Sequence, residues 1–347
     1  MNIDLSVVIP IYNEAESLLA LQARLIPVLD KLECSCEVLI VDDGSSDSTW
    51  ELILRATVEG QARDSGSRNS GSRDPDSREP GRQVAVRGLR LRRNFGKEAA
   101  IRAGLSASQG SAVIVMDGDL QHPPEVITEL YATWKSGNVL VVEGVKRKAS
   151  QHRTFVQKIG AWFLYTLLQR ATGVGFESGT DFRLLDRSVV VFMLALPERI
   201  SFFRGLLSYY KFPSTTVEFD AEVRSKGISR WSLIALIHFG LDALTGFTST
   251  PLRVVTFCSI GFLLFFMLLL LQTLYRYFVI GSVEGFTTVI LVILIVGAVV
   301  TAALGIIGEY VARIYEEVKR RPRYVIGDTA NLILDQAMRD ERVRGTL

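Results

Sequence analysis

Three polar clusters each follow a run of apolar, mostly β-branched residues. They are Pro10-Ile11-Tyr12-Asn13-Glu14, Asp42-Asp43-Gly44-Ser45 and Asp117-Gly118-Asp119-Leu120-Gln121-His122. Two carboxylates with one residue between them suit a hard divalent cation that must also hold the oxygens of a diphosphate. Nothing in this spacing selects a soft metal. A lone Asp-X-Asp is more often a capped turn, but three acidic clusters at the ends of three predicted strands favour a binding site.

Strand-like and helix-like segments alternate through the first half of the chain. Apolar runs at 5–11, 38–41, 86–91, 112–116 and 139–142 predict buried strands, and helical spacing at 14–32, 48–58, 97–108 and 124–134 predicts helices. This rhythm predicts an α/β fold, with a mostly parallel, Rossmann-like sheet covered by helices on both faces. Such sheets bind ligands beyond the carboxyl ends of their strands. We therefore expect the three polar clusters to converge.

Residues 60–82 interrupt this rhythm with a stretch composed almost entirely of Gly, Ser, Asp, Arg, Pro, Asn, Glu and Gln. Such a composition buries too little apolar surface to offset the entropy of ordering the chain. We predict a disordered insertion between a helix and a strand. A basic arm that touches anionic lipid is the alternative, although acidic residues dilute its arginines.

Two uncharged apolar runs, at 254–274 and 286–308, lie near the C-terminus. Each exceeds the roughly 20 residues that cross a bilayer core as a helix. We predict a transmembrane hairpin over residues 251–312, with spans at about 252–276 and 286–310. Buried core helices are the alternative, and they fit less well because neither run has a polar face.

The flanks of this hairpin predict its orientation. Its link carries only Arg276 and Glu284, whereas basic residues flank both outer ends, so the positive-inside bias places those ends in the cytoplasm. We predict a catalytic domain over residues 1–230, an interfacial amphipathic segment at 231–250, and a basic and polar cytoplasmic tail at 313–347.

Charge and cysteine content narrow the class of protein. Lys and Arg number 39 against 37 Asp and Glu, so we expect no nucleic-acid partner. Cys34, Cys36 and Cys258 form no disulfide framework and lack the spacing of a zinc site. The N-terminus enters a strand without the pattern of a signal peptide. We expect the first domain to stay in the reducing cytoplasm.

These clusters and several other motifs resemble glycosyltransferase family 2, which has the GT-A fold. The segments 6–14 and 41–49, the run Arg93-Asn94-Phe95-Gly96-Lys97-Glu98 and the pair Asp117 and Asp119 carry this resemblance. A more specific resemblance, to one group within this family, is carried by segments 179–187, 197–199, 203–205 and 308–322. They are similar to the polyprenyl-phosphate glycosyltransferases, relatives of dolichol-phosphate mannose synthase and of bactoprenol glucosyltransferase, over nearly the whole chain.

The resemblance implies a role for individual residues on the donor side. It implies that the nucleoside is bound by Pro10, Tyr12, Glu14 and Asp42, with Asp43 close by. It also implies that Asp117, Asp119 and Gln121 surround the donor diphosphate and a Mg²⁺ or Mn²⁺ ion. Asp181 lies near the donor sugar and is, with Asp119, the candidate catalytic carboxylate. A salt-bridged loop residue is the alternative for Asp181. For His122 we expect a structural role or one behind the metal ligands.

On the acceptor side, the candidate ligands for a phosphate are Arg147, Arg204, Arg224 and Arg230. The guanidinium fork suits phosphate because it makes paired, charge-assisted hydrogen bonds. Among these four, the resemblance favours Arg224 and Arg230.

The resemblance implies an inverting hexosyltransferase that moves glucose from UDP-glucose to undecaprenyl or another polyprenyl phosphate, for modification of cell-envelope glycans. It further implies a multi-pass protein of the bacterial inner membrane with both termini cytoplasmic, and a homotetramer. UDP-galactose, an N-acetylhexosamine or a modified arabinose are the other donors considered.

Two further hypotheses compete with this one. A processive polysaccharide synthase should show Gln-X-X-Arg-Trp, whereas this chain has Arg230-Trp231 without the Gln. A non-catalytic nucleotide-binding membrane scaffold need not retain Asp117, Asp119 and Asp181.

Overall fold

The computed structural model describes residues 3–69, 84–147, 180–196, 203–220, 250–279, 285–319 and 321–332. They fall into two compact units. The sheet unit contains the described residues up to 220 and those from 322 onward, and the helical unit contains those from 250 to 321. The predicted interfacial segment at 231–250 lies outside the described residues except for Thr250, the first residue of a helix.

The elements of the sheet unit alternate as the sequence predicts as far as residue 146, and the later elements were not predicted. In chain order they are β1 (Leu5–Ile11), α1 (Ala15–Asp30), β2 (Cys36–Asp42), α2 (Thr49–Asn69), β3 (Val84–Leu91), α3 (Lys97–Ala107), β4 (Ala112–Val115), α4 (Val126–Lys135), β5 (Val141–Lys146), β6 (Arg183–Asp186), α5 (Arg187–Ala195), α6 (Phe203–Tyr210), β7 (Ser214–Phe219) and, after the helical unit, β8 (Ile326–Ala330).

The described strands form one sheet in the order β7-β5-β6-β4-β1-β2-β3-β8. Strands β3, β2, β1 and β4 are parallel neighbours, and β7 is parallel to β5. Strand β6 runs antiparallel between β4 and β5, and β8 runs antiparallel to β3. This arrangement confirms the predicted α/β fold with a mostly parallel sheet. The chain leaves β1 toward β2 and later returns to its other side as β4, which is the kind of switch point where such sheets bind ligands.

Helices pack on both faces of the sheet, as predicted. On one face the buried side chains of β1, including Val7 and Ile9, join the core made with α1, α2 and α4. Helix α1 contributes Leu18, Leu21, Leu25 and Leu29, whose spacing of three and four residues forms one apolar stripe. On the other face α3 approaches so closely that a Cβ on Gly104 would collide with Val8.

Helix α2 continues to Asn69, beyond the predicted end at 58. Residues 60–69, the first part of the predicted disordered insertion, are therefore helical. Good helix formers such as Glu59, Gln61 and Ala62 extend a helix once its first turns are packed. The remainder of that insertion, at 70–82, lies outside the described residues.

The C-terminal segment also differs from the polar tail that the sequence predicts. Strand β8 completes the edge of the sheet beside β3, and the Arg92 N–H donates to the Val325 carbonyl over 2.9 Å. Tyr324, which precedes the strand, is buried. The alternating burial of β8 leaves only Ile326 and Ala330 inside, so this strand carries no apolar run in the sequence.

The helical unit contains the two predicted spans as helices, α7 (Thr250–Val279) and α8 (Phe286–Lys319). Large apolar side chains are exposed along both, for example Phe257, Leu264 and Leu304. Within the described residues, one stretch is long and apolar enough to cross a membrane, Ile295–Lys319, with a mean hydropathy of 1.9 in its apolar window. A shorter apolar stretch, Ile260–Leu269, lies in α7.

Candidate active site

A cleft of about 310 Å³ opens at the carboxyl edge of the sheet unit. Segments that follow β1, β2, β3 and β4 contribute its walls. The lining residues are Pro10, Ile11, Tyr12, Glu14, Asp43, Asn94, Gly96, Lys97, Ala100, Asp117, Gly118 and Asp119. The structure thus brings together six of the predicted donor-site residues, Pro10, Tyr12, Glu14, Asp43, Asp117 and Asp119.

The segments after β1 and β2 are interlocked. The Asn13 N–H donates to Ser45 Oγ over 2.9 Å, and the Ser46 N–H donates to Asn13 Oδ1 over 2.9 Å. Asn13 has a φ of 54°, a left-handed conformation that Asn adopts more readily than most residues. This interlock fixes the loop that presents Tyr12, whose side chain is 45 % exposed.

Asp42 lies behind the cleft wall rather than in it. Its fully buried carboxylate accepts from the Ser45 N–H over 2.8 Å and pairs with Arg90 Nε at 3.3 Å. Burial raises its pKa, while the hydrogen bonds from Ser45 and the charge of Arg90 oppose the rise. The structure therefore gives Asp42 a turn-stabilising position, and a contact with the nucleoside stays a prediction.

Asp43 fixes the loop that leads from β3 into α3. Its two carboxylate oxygens accept from the backbone N–H groups of Phe95 and Gly96, over 2.7 and 2.9 Å. Burial raises its pKa against these two hydrogen bonds. Gly44 has a φ of 70°, and a Cβ there would collide with the Arg93 backbone. The loop can thus lie close enough to place Lys97, the first residue of α3, in the cleft.

The predicted metal ligands Asp117 and Asp119 both present carboxylates to the cleft. Asp119 Oδ1 accepts from the Gln121 N–H over 3.1 Å, across Leu120 at a φ of 61°. The Gln121 side-chain oxygen accepts from Lys146 Nζ over 2.8 Å, so it is already engaged. The described residues contain no group of three or more His, Cys, Asp or Glu side chains around one point. Two carboxylates fit Mg²⁺ or Mn²⁺ in a site that water and substrate phosphates complete.

His122 stabilises the backbone of this motif. Its Nδ1 accepts from the Asp117 N–H over 3.1 Å, and its buried ring stacks on Phe182 with centroids 5.0 Å apart. Burial lowers the pKa of the imidazole. The neutral ring acts as a structural support behind Asp117, as expected.

Asp181 enters the same region from the start of β6. Its carboxylate is 3 % exposed, accepts a hydrogen bond from Lys97 Nζ over 2.5 Å and forms an ion pair with Arg204 Nε at 2.7 Å. Lys97 Nζ also lies 2.5 Å from Asp117 Oδ1. Burial lowers the pKa of Lys97, but the two carboxylates outweigh it, so the net shift is upward and the ammonium stays charged. Asp181 is thus both salt-bridged and close to the predicted metal ligands.

The sequence interpretation missed the contribution of the loop after β3, namely Asn94, Gly96 and Lys97. The signal was present in the sequence, because a polar run follows this strand as it follows β1, β2 and β4.

The arginines predicted to bind the acceptor phosphate do not lie together in the described residues. Arg204 lies against Asp181, whereas Arg147 pairs on the surface with Glu218 at 3.4 Å and Asp220 at 3.3 Å. Arg224 and Arg230 lie outside the described residues.

Known proteins resemble this chain over nearly its full length. It is 37 % identical to the uncharacterized glycosyltransferase sll0501 of Synechocystis sp., over 94 % of this chain and 96 % of that protein. It is 33 % identical to the bactoprenol glucosyl transferase of Shigella phage SfII, over 93 % and 97 %. The undecaprenyl-phosphate 4-deoxy-4-formamido-L-arabinose transferase of Photorhabdus laumondii is also 33 % identical, over 93 % and 94 %.

The family model described as glycosyl transferase family 2 matches residues 6–62 and 68–190. This match contains the polar segments after β1 to β4 and also Asp181. The cleft that these segments form agrees with the resemblance that the motifs carry. Since the match covers more than half of the chain, the protein belongs to glycosyl transferase family 2 and is a glycosyltransferase.

Proposed function

We propose that the protein transfers one hexose, with glucose from UDP-glucose as the first candidate, to undecaprenyl or another polyprenyl phosphate. The observation that carries this proposal is the contact of Lys97 with both Asp117 and Asp181, in a cleft that Asp119 also lines. The relatives named for bactoprenol and undecaprenyl phosphate support it because they match 93 % of this chain, including the C-terminal helices.

The proposed reaction is a single displacement at the anomeric carbon of the sugar. An oxygen of the acceptor phosphate forms the new bond to that carbon, while the bond from the carbon to the diphosphate breaks and the nucleoside diphosphate departs. One displacement inverts the configuration. The acceptor phosphate is already anionic near neutral pH, so no strong base is required. Asp181, held by Lys97 and Arg204, orients the reacting groups instead.

A divalent cation, Mg²⁺ or Mn²⁺, fits beside Asp117 and Asp119, and when bound there it would offset the charge of the departing diphosphate. Lys97 adds a second positive charge at the same edge of the cleft. Tyr12, exposed at the cleft wall, is suited to lie against a nucleoside base. These residues would bind and align the donor.

The position of β8 supports a membrane protein with an even number of crossings. Strand β7 precedes α7 in the chain and β8 follows α8, yet both strands belong to one sheet. The chain must therefore return to the side of the membrane on which it started. If Ile295–Lys319 crosses, α7 supplies the second crossing. The basic residues that flank both outer ends of the hairpin support a cytoplasmic position for the sheet unit.

Labelling of single cysteines tests this topology. In a variant without the native cysteines, Ser282→Cys should react with an impermeant maleimide from outside intact cells, whereas Ser136→Cys, exposed after α4, should not. Protection of both positions would contradict two crossings. A homotetramer stays a prediction, and the mass of the purified complex in detergent tests it.

The donor sugar is the least constrained part of the proposal, because the glucosyl and formamido-arabinosyl relatives are equally similar, at 33 % identity. The purified full-length protein should be incubated with Mn²⁺, undecaprenyl phosphate and one radiolabelled UDP-sugar at a time. We expect UDP-glucose to give label in the lipid extract. Label from another UDP-sugar alone would correct the donor, and no lipid-linked label from any nucleotide sugar would contradict the proposed function.

A further inference from the structure

The Lys97 ammonium contacts two carboxylates, those of Asp117 and Asp181. Its Nζ lies 2.5 Å from Asp117 Oδ1 and 2.5 Å from Asp181 Oδ2, so these two oxygens are at most about 5 Å apart. Asp117 is a predicted ligand of the divalent cation, and the ammonium therefore takes up an oxygen that the metal requires. We propose that Lys97 competes with the divalent cation for Asp117, and that the donor diphosphate relieves this competition by accepting the ammonium. This inference rests on the proposed function.

The local structure allows Lys97 to act as such a movable charge. Its backbone is fixed, because the preceding residue Gly96 is held by Asp43 at the start of α3. Its side chain is 42 % exposed and has four rotatable methylene groups, so the ammonium can turn without moving the helix. A cation fixed within the core would lack this freedom.

The balance of charge at the cleft indicates why donor and metal should bind together. The carboxylates of Asp117 and Asp181 share the Lys97 ammonium, and Asp181 also pairs with Arg204. A divalent cation that binds without the donor must displace the Lys97 ammonium from Asp117. The displaced ammonium then has no new anion with which to pair. A donor that arrives with the metal brings the diphosphate, which provides that anion. Each ligand should therefore tighten the binding of the other by the same factor.

The test measures Mn²⁺ binding by the full-length protein in detergent, from the electron paramagnetic resonance signal of free Mn²⁺, with and without UDP. In the wild type we expect UDP to tighten Mn²⁺ binding on the order of tenfold, within the usual range of coupling between sites. In Lys97→Gln, Mn²⁺ alone should bind several-fold more tightly than in the wild type, and the UDP effect should shrink. Lys97→Arg, which keeps the charge, should resemble the wild type.

Matched variants separate competition from a purely structural role. Lys31→Ala removes an exposed lysine at the opposite end of α1 from the cleft and should leave both Mn²⁺ affinities unchanged. Lys97→Met repeats the neutral substitution should the Gln variant fail to fold. If the neutral variants bind UDP but show the wild-type Mn²⁺ affinity and the wild-type UDP effect, the competition is refuted and the proposed function stands. If the wild-type protein binds no UDP, the competition is refuted and UDP is excluded as the donor nucleotide, whereas the proposed function depends on the transfer assay with other nucleotide sugars.

Discussion

Arg204 Nε forms an ion pair with Oδ1 of Asp181 at 2.7 Å, so a cation predicted to bind the acceptor phosphate lies against the candidate catalytic carboxylate. Arg204 is the second residue of α6, and Asp181 precedes β6. The contact therefore joins α6 to the edge of the sheet where the predicted donor residues meet. An acceptor phosphate drawn to Arg204 would arrive next to Asp181.

Replacement of Arg204 by Gln should lower kcat by about 10-fold to 100-fold and change the KM for the donor little, because Asp181 loses a partner that orients it. The stability cost should be about 1–3 kcal/mol, below that of a fully buried pair, since Arg204 is 31 % exposed. Steady-state kinetics and thermal unfolding measure both. Arg147→Gln, which breaks only exposed pairs, is the control and should cost under about 1 kcal/mol. An unchanged kcat in Arg204→Gln would contradict the proposal that Arg204 orients Asp181.

Replacement of Asp119 by Asn should abolish transfer and leave the protein folded. The amide oxygen can still accept from the Gln121 N–H, so the local turn survives, but the charge that a divalent cation needs is lost. Transfer assays at millimolar Mn²⁺ and thermal melting measure the two effects. Wild-type turnover in this variant would contradict the assignment of Asp119 as a metal ligand.

The stability of the sheet unit should depend on the ionisation of Glu98. Burial, assisted by the charge of Asp181, raises the pKa of Glu98 from 4.5 to about 7, while the Phe203 N–H and two nearby cations oppose the rise. Between these pH values the folded protein binds more protons at Glu98 than the unfolded chain does, so this contribution to stability is lost as pH rises. The total loss is on the order of 3 kcal/mol, at about 1.4 kcal/mol for each pKa unit.

Glu98→Gln tests this dependence because Gln can still accept from Phe203. The variant should melt at a higher temperature than the wild type at pH 8, and the difference should shrink toward pH 5. A difference in melting temperature that does not vary with pH would show that Glu98 titrates normally.

The sequence predicts the central part of the fold because β1, β2 and β4 carry apolar runs and β3 is rich in Val and Leu. The helices between them show clear apolar stripes, as at Leu18, Leu21, Leu25 and Leu29 in α1. Strands β6, β7 and β8 escape prediction. Strand β6 has only four residues, and β7 and β8 lie at the two edges of the sheet. Alternate burial along β8 leaves inside only Ile326 and Ala330, and backbone pairing provides the rest of its stability.

The candidate site is predicted where a residue type alone indicates the chemistry, as for Asp117 and Asp119. Lys97 is different, because a lysine at the start of a helix is ordinarily a solvated charge. Its position between Asp117 and Asp181 depends on the Asp43 carboxylate that binds Phe95 and Gly96. Contacts between residues so distant in the chain follow from the sheet order and are not visible in local spacing.

Arg224 and Arg230 should act on the acceptor alone. Replacement of either by Ala should raise the apparent KM for polyprenyl phosphate on the order of tenfold, since a hydrogen bond to a charged group is worth about 1.5–3 kcal/mol. The donor KM should change little. Arg147→Ala is the matched control, because Arg147 pairs with Glu218 and Asp220 on the surface.

The kinetics of these arginine variants should be measured in detergent, where no anionic bilayer can attract the domain. An acceptor-specific defect that disappears in detergent would indicate attraction to lipid headgroups, which contributes about 1 kcal/mol per residue. An equal defect for Arg147→Ala would show that the acceptor contacts extend to the edge of the sheet.

The central claim is that one sugar is joined to a polyprenyl phosphate with inversion. The most direct measurement is the mass and the anomeric configuration of the lipid product formed by the full-length protein from an α-linked UDP-hexose and undecaprenyl phosphate. The account predicts a single added hexose in a β-linked phosphodiester, with one UDP released for each lipid consumed. An α-linked product, a product with several sugars, or no lipid-linked sugar from any nucleotide sugar would contradict it.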